Sequence, residues 1–174
     1  MTQEQAAITS SGLREAFDRA FAGAPVTDAG RTENFLAIRV GGEPHAIALA
    51  EIAGLFTDKK IVALPGRAPE LLGIAGLRGD IIPVYSLRAF LGYPPAEEPT
   101  RWLVLAGREQ AVSFAFDRFD GYARIVHTEL SPVPGTSSSR GHIHAMATIA
   151  GVRRSIISVH SILDTIASRP LKEH

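Results

Sequence analysis

The chain contains no cysteine in its 174 residues. That single absence removes disulfides, cysteine-ligated metals and cysteine nucleophiles, and it suits a reducing compartment. Neither charge is in excess: Lys plus Arg number 18 and Asp plus Glu number 18. A balanced chain lacks the basic field with which proteins hold nucleic acid, and it does not resemble an acidic disordered tail. No apolar run approaches the roughly 20 residues of a membrane span. The opening MTQEQAAITSSG has neither the basic flank nor the apolar core of a secretion signal. The expectation is a soluble cytoplasmic protein with no nucleic-acid partner and no direct membrane insertion.

What is present is an ordinary globular composition, 45% hydrophobic, in a chain long enough to bury roughly 70% of its unfolded surface. Residues 1–33 differ from the rest. Leu13, Ala16, Phe17, Ala20 and Phe21 fall on one face of a helix, and GAPVTDAGRTEN, 23–34, reads as a linker. From Phe35 the period changes to two. FLAIRV, HAIAL, KIVALP, LLGIAGL, DIIPVY, RWLVLAG, AVSFAF, YARIV, IHAMATIAG and RSIISV are short runs split by Gly, Pro and Asp. They indicate an all-β barrel or sandwich. EIAGLF, 51–56, is too short and glycine-interrupted to assign. SLRAFL and HSILDTIA read as brief helical turns.

The chain also repeats itself. IAGLRGDIIPVYSLRAFL, 74–91, aligns without a gap on IAGVRRSIISVHSILDTI, 149–166, at an offset of 75 with eight of 18 positions identical. A looser echo joins FLAIRVGGEPHAI to WLVLAGREQAVSF. Duplicated units imply two small barrels in tandem, expected at about 34–98 and 99–167, with one apolar core between them and residues 168–174 as a tail. In this alignment Arg78 has a twin in Arg153, and the copies differ at Gly79-Asp80 against Arg154-Ser155.

The stretch LLGIAGLRGDIIPVYSLRAFLG, 71–92, resembles the signature of the CheW-like family. The matching pieces are Leu77-Arg78-Gly79, Ile82-Pro83-Val84, Leu87-Arg88 and Leu91-Gly92. NFLAIRVGGEPHAIALAEIAGLF, FAFDRFDGYARI and MATIAGVRRSIISVHSILD resemble the family's opening, middle and closing segments, so the likeness spans 34–167. The resemblance implies two five-stranded SH3-like β-barrels around a joint hydrophobic core. It also implies a non-catalytic adaptor between chemoreceptor signalling tips and the regulatory domain of a CheA-type histidine kinase, held at the inner face of the membrane within receptor arrays. The partner-binding residues it implies are Arg78, Gly79 and Asp80 at the hairpin tip, with Ile52, Gly54 and Phe56 beside them. Three positions depart from the pattern. Gly76 replaces the usual Asn, Ser86 the usual Asp, and Gly54 an acidic residue of many members, with Glu51 close by.

Other chemistry is thin. His142 and His144 in GHIHAM lie one pleat apart on a strand, two imidazoles that with a third ligand could serve a small metal-dependent enzyme. The simpler account is a pair of exposed strand histidines. No Gly-x-Ser-x-Gly or His-Glu-x-x-His occurs. Asp117 and Asp120 flank Arg118, which reads as a turn with a local ion pair. Phe114, Phe116, Tyr122 and Trp102 read as core and seam aromatics. No cofactor or metal is expected, and an output other than motility is an open alternative for the pathway.

Overall fold

The structure is a computed structural model, and it describes residues 30–65, 68–134 and 141–169. The helix expected within 1–33 lies outside the described residues. Strands β1 (Thr32–Val40) and β2 (Glu43–Ala48) form the first hairpin, closed by Gly41-Gly42 with φ of 63° and 82°. These left-handed values suit the two-residue turn that matches strand twist. After a 3-10 turn at Leu49–Glu51 come β3 (Ile52–Thr57), β4 (Leu71–Leu77), β5 (Asp80–Ser86) and the short helix α1 (Leu87–Phe90). Strands β6 (Trp102–Ala106), β7 (Val112–Phe116), β8 (Arg118–Val126) and β9 (Ser131–Pro132) follow. A closing hairpin, β10 (Ile143–Ile149) and β11 (Val152–Ile157), leads into helix α2 (Val159–Ala167). The unassigned EIAGLF is thus β3, and KIVALP contributes only an isolated pair, Val62 with Ile74. Three residues on, Pro65 has no N–H to extend that pairing.

The strands make two sheets, ordered β8-β1-β2-β11-β10-β9 and β3-β6-β7-β5-β4. The two follow one plan. Each has a hairpin (β1–β2, β6–β7) joined in parallel to a second hairpin (β11–β10, β5–β4), a third strand on the free side (β8, β3), and a stub on the far edge (β9, Val62). The duplication read from sequence is therefore structural, but the pairing crosses the boundary drawn between 98 and 99. Hairpin β1–β2, from the start of the domain, completes the sheet of the last strands. Hairpin β6–β7 completes the sheet of β3, β4 and β5.

This exchange explains the apolar runs. Leu103, Leu105 and Ala115 face the interior of the first barrel with Ala75, Leu77, Ile82 and Val84. Phe35, Ala46 and Ala48 face the interior of the second with Ile125, Ala147 and Ile156. The alternate residues of the same four strands, Leu36, Ile38, Ile47, Val104, Phe114 and Phe116 among them, meet in a third cluster shared by both barrels. Strands apolar on both faces read as continuous hydrophobic runs. Helices α1 and α2, with the Leu91 that follows α1, plug the shared core: Leu87, Leu91, Val159 and Ile162 are each fully buried. Each helix is started by a serine: the Ser86 hydroxyl accepts from Ala89 N–H and the Ser158 hydroxyl from Ser161 N–H.

These paired features fix the true register of the repeat. Ser86 corresponds to Ser158 and turn residue Gly79 to turn residue Gly151, an offset of 72 rather than 75. A slip of three, an odd number, exchanges the two faces of a strand. At 75, Ile82 of a barrel interior would match Ile157 of the shared core; at 72, Val84 matches Ile156, both in barrel interiors. Arg153 is consequently no twin of Arg78. It lies on β11 opposite Thr148, while the counterpart of Arg78 in the second turn is Ala150.

Candidate functional site

Hairpin β4–β5 turns through Arg78 and Gly79, with φ of 53° and 88°, between the paired residues Leu77 and Asp80. A two-residue turn with both φ positive favours glycine, and only the second position has it. Arg78 sits in a conformation that L-residues seldom adopt. Arg78, Gly79 and Asp80 are all exposed.

Across from this tip lies β3, an edge strand paired only to β6. Its register shifts between Ile52 and Gly54, which leaves Ala53 as an extra residue without a ladder partner. The Ala53 carbonyl accepts a 2.6 Å hydrogen bond from Arg78 Nη2. The guanidinium carbon stands 5.7 Å from the centre of the Phe56 ring, and Lys59 Nζ stands 6.0 Å from the same ring. Both are within range of the attraction between a cation and an aromatic face. Arg78, Gly54 and Phe56 therefore form one surface, with Gly79 and Asp80 at its rim. Ile52 is different: its side chain packs on the shared core. Arg78 joins β3 to the β4–β5 hairpin at the opposite edge of the sheet, so it also helps to close the first barrel.

Glu51 is occupied elsewhere, its Oε1 accepting from His160 N–H in the first turn of α2 at 3.2 Å. Gly76 is the penultimate residue of β4, opposite Ile81, which is 75% exposed. A cavity of about 580 Å³ is bounded by Ile61, Glu70, Leu72, Arg88 and Tyr93. It contains none of the tip residues.

Of the two acidic residues of FDRFDG, Asp120 keeps the expected local ion pair with Arg118, and Asp117 bonds elsewhere. Asp117 Oδ1 accepts from Arg88 Nε at 2.8 Å, and its Oδ2 accepts from the Gly41 N–H at 2.6 Å. Asp120 is the bulged residue of β8 opposite Ala37 and Ile38. Its Oδ2 accepts from Arg154 Nη2 at 2.8 Å and lies 3.0 Å from Arg39 Nε, while its Oδ1 lies 3.4 Å from Arg118 Nε. Arg154 is only 5% exposed, and its Nη1 donates to the Ile38 and His45 carbonyls. Sequence reading missed this charge cluster because its members lie as far apart as Arg39 and Arg154.

His142 and His144 are engaged differently. The register of β10 shifts between Ile143 and Ala145, which breaks the alternation at His144. His142 Nδ1 is 2.9 Å from Ser161 Oγ, and its ring meets Phe90 edge-on at 5.7 Å. Burial pushes the His142 imidazole below its usual pKa. Among the described residues no three His, Asp or Glu are grouped to hold a metal. Phe114 and Phe116 are core, Trp102 is half-buried against Phe116 and Phe119, and Tyr122 is 65% exposed rather than buried in a seam. No helix among the described residues is long and apolar enough to cross a membrane.

Two interlocked small β-barrels, with a cation-tipped hairpin laid across an edge strand and polar clusters that serve the fold, define a paired-barrel module. A family model described as the CheW-like domain matches residues 34–167, and the chain belongs to that family. It is 30% identical over 139 residues to Chemotaxis protein CheW of Helicobacter pylori, covering 77% of this chain and 84% of that one. It is 24% identical to Chemotaxis protein CheW of Bacillus subtilis over 141 residues, 79% of this chain and 90% of the other. Among solved structures it is similar to the scaffolding protein TtCheW from Thermoanaerobacter tengcongensis, with a TM-score of 0.70 at 18% identity, over 81% of this chain and 99% of that one. That likeness establishes the fold.

Proposed function

We propose that this chain is a non-catalytic adaptor that couples chemoreceptor signalling tips to a CheA-type histidine kinase, at the inner face of the membrane within receptor arrays. Family membership supports the class, and the relatives above carry chemotaxis and scaffolding names. The observation that carries the site is the state of Arg78. It is exposed, it spends one donor on Ala53, and it forms no ion pair among the described residues. A guanidinium offers five donors in a planar fork suited to a carboxylate. Beside the Phe56 ring and Lys59, it forms a positive, partly aromatic surface suited to an acidic segment of a helical tip. Asp80 and Gly79 flank it and set its approach.

The test is Arg78→Glu in the full chain, measured by co-sedimentation with receptor-containing membranes and, separately, by binding to the kinase regulatory domain. Receptor retention is expected to fall about tenfold or more, as for loss of a charged anchor, with the fold intact and kinase binding kept. Unchanged receptor retention would remove Arg78 from the interface.

A further inference from the structure

We infer that Gly54 is a specificity-determining residue of this surface: its missing side chain lets the Arg78 guanidinium lie flat on β3, in the pose that presents its remaining donors to a partner carboxylate. The inference deepens the docking role proposed for Arg78 and rests on it.

The backbone does not require glycine at 54. Its φ lies outside the positive range in which eight other glycines among the described residues are found. What the position lacks is room. A Cβ there would stand 2.9 Å from Arg78 Nη2 and 3.0 Å from Phe56 Cε2. Both neighbours are ends of side chains, so a methyl group would displace them and leave the backbone as it is. The same Nη2 is bonded to the Ala53 carbonyl, and the same ring lies under the guanidinium. One added methyl therefore disturbs both contacts that hold Arg78 down.

The bulge supplies the rest of the bed. Ala53 is out of the β3–β6 ladder, so its carbonyl is available to Arg78. A guanidinium fixed at one nitrogen and one face has lost most of its rotamer freedom before a partner arrives. Its unused Nε and Nη1 donors then bind with less ordering to be done. Asp80, two residues on, does not neutralise it, and Lys59 adds a second positive charge over the same ring.

The experiment is a double-mutant cycle with Gly54→Ala, Arg78→Ala and both together. The full chain is titrated with a soluble chemoreceptor cytoplasmic fragment, with the thermal midpoint of each variant recorded alongside. Gly54→Ala is expected to weaken binding about tenfold, as loss of a preorganised charged contact does, with the midpoint unchanged. In the Arg78→Ala background it should then have no effect. If Arg78→Ala weakens binding and Gly54→Ala does not, the inference is overturned while the docking role stands. Equal loss from Gly54→Ala in both backgrounds also overturns it, since Gly54 would then act without Arg78. If Arg78→Ala itself leaves binding unchanged, the docking role fails, and the inference with it.

Discussion

Both barrels send an arginine from their closing hairpin to the bulge of their third strand, and the two arginines live in different worlds. In the second barrel Arg154 crosses the interior, only 5% exposed, to the bulged Asp120, and it also bonds two backbone carbonyls. In the first barrel the equivalent strand position is Ile82, an ordinary member of the apolar interior. The arginine there, Arg78, has moved to the exposed turn and reaches the bulged Ala53 from outside. One latch is buried and has a carboxylate for its charge. The other is exposed and keeps most of its donors. The buried arginine spends both Nη groups within its own chain, although its Nε has no partner among the described residues, whereas the exposed one is held at a single Nη. The same barrel plan accommodates both, because a bulge can re-aim a side chain or release a carbonyl without disturbing the rest of the sheet.

The largest effect should come from breaking the buried latch. Asp120→Ala leaves the Arg154 guanidinium buried with no carboxylate. Removing one partner of a buried pair costs about 3–5 kcal/mol. Asp120 is 13% exposed, and Arg39 and Arg118 also lean on it, so the loss belongs within that range. Urea unfolding monitored by circular dichroism would measure it. A change below about 1 kcal/mol, the level of a surface pair, would mean that the cluster is solvated and that the two latches are energetically alike.

The exposed latch should behave in the opposite way. Arg78→Ala removes one exposed hydrogen bond and one cation-aromatic contact, together worth about 1 kcal/mol or less. The same unfolding assay should register little, while receptor binding falls. A stability loss as large as that of Asp120→Ala would recast Arg78 as a second structural latch.

The contrast was only partly legible in the sequence. Period-two runs located most strands, and the repeat announced two similar units with a shared core. The turn at Arg78-Gly79 stood out between apolar runs. What stayed hidden was long-range. Nothing local shows that HAI of β2 pairs in parallel with SII of β11, more than a hundred residues away. The identities at an offset of 75 pointed to the wrong twin, since apolar alternation looks much the same after a slip that exchanges faces. The bulges at Ala53 and Asp120 have no composition of their own. They arise where two strands fall out of step, and that requires the partner strand. Gly54 was visible as a departure from the family pattern, but the space it leaves became meaningful only with Arg78 in place beside it.

The smallest expected effect concerns the strap between the barrels. Arg169, just past α2, makes two hydrogen bonds to Glu70, which precedes β4, at 2.7 and 3.0 Å. These bonds hold the Glu70 carboxyl below its usual pKa of 4.5. A carboxylate whose folded pKa is depressed stabilises the fold above its unfolded value and loses that contribution as pH falls through the folded one. Its share should therefore be intact at pH 6 to 7 and decline from about pH 4.5 downward. With the arginine half exposed, the strap is worth about 1 kcal/mol or less. Glu70→Gln should lower stability slightly at neutral pH and converge with the unmodified protein in acid, when both are followed by urea midpoints across pH 3 to 7. A constant gap over that range would show that the strap acts through packing rather than charge. It would then resemble the neutral contacts of the shared core more than either arginine latch.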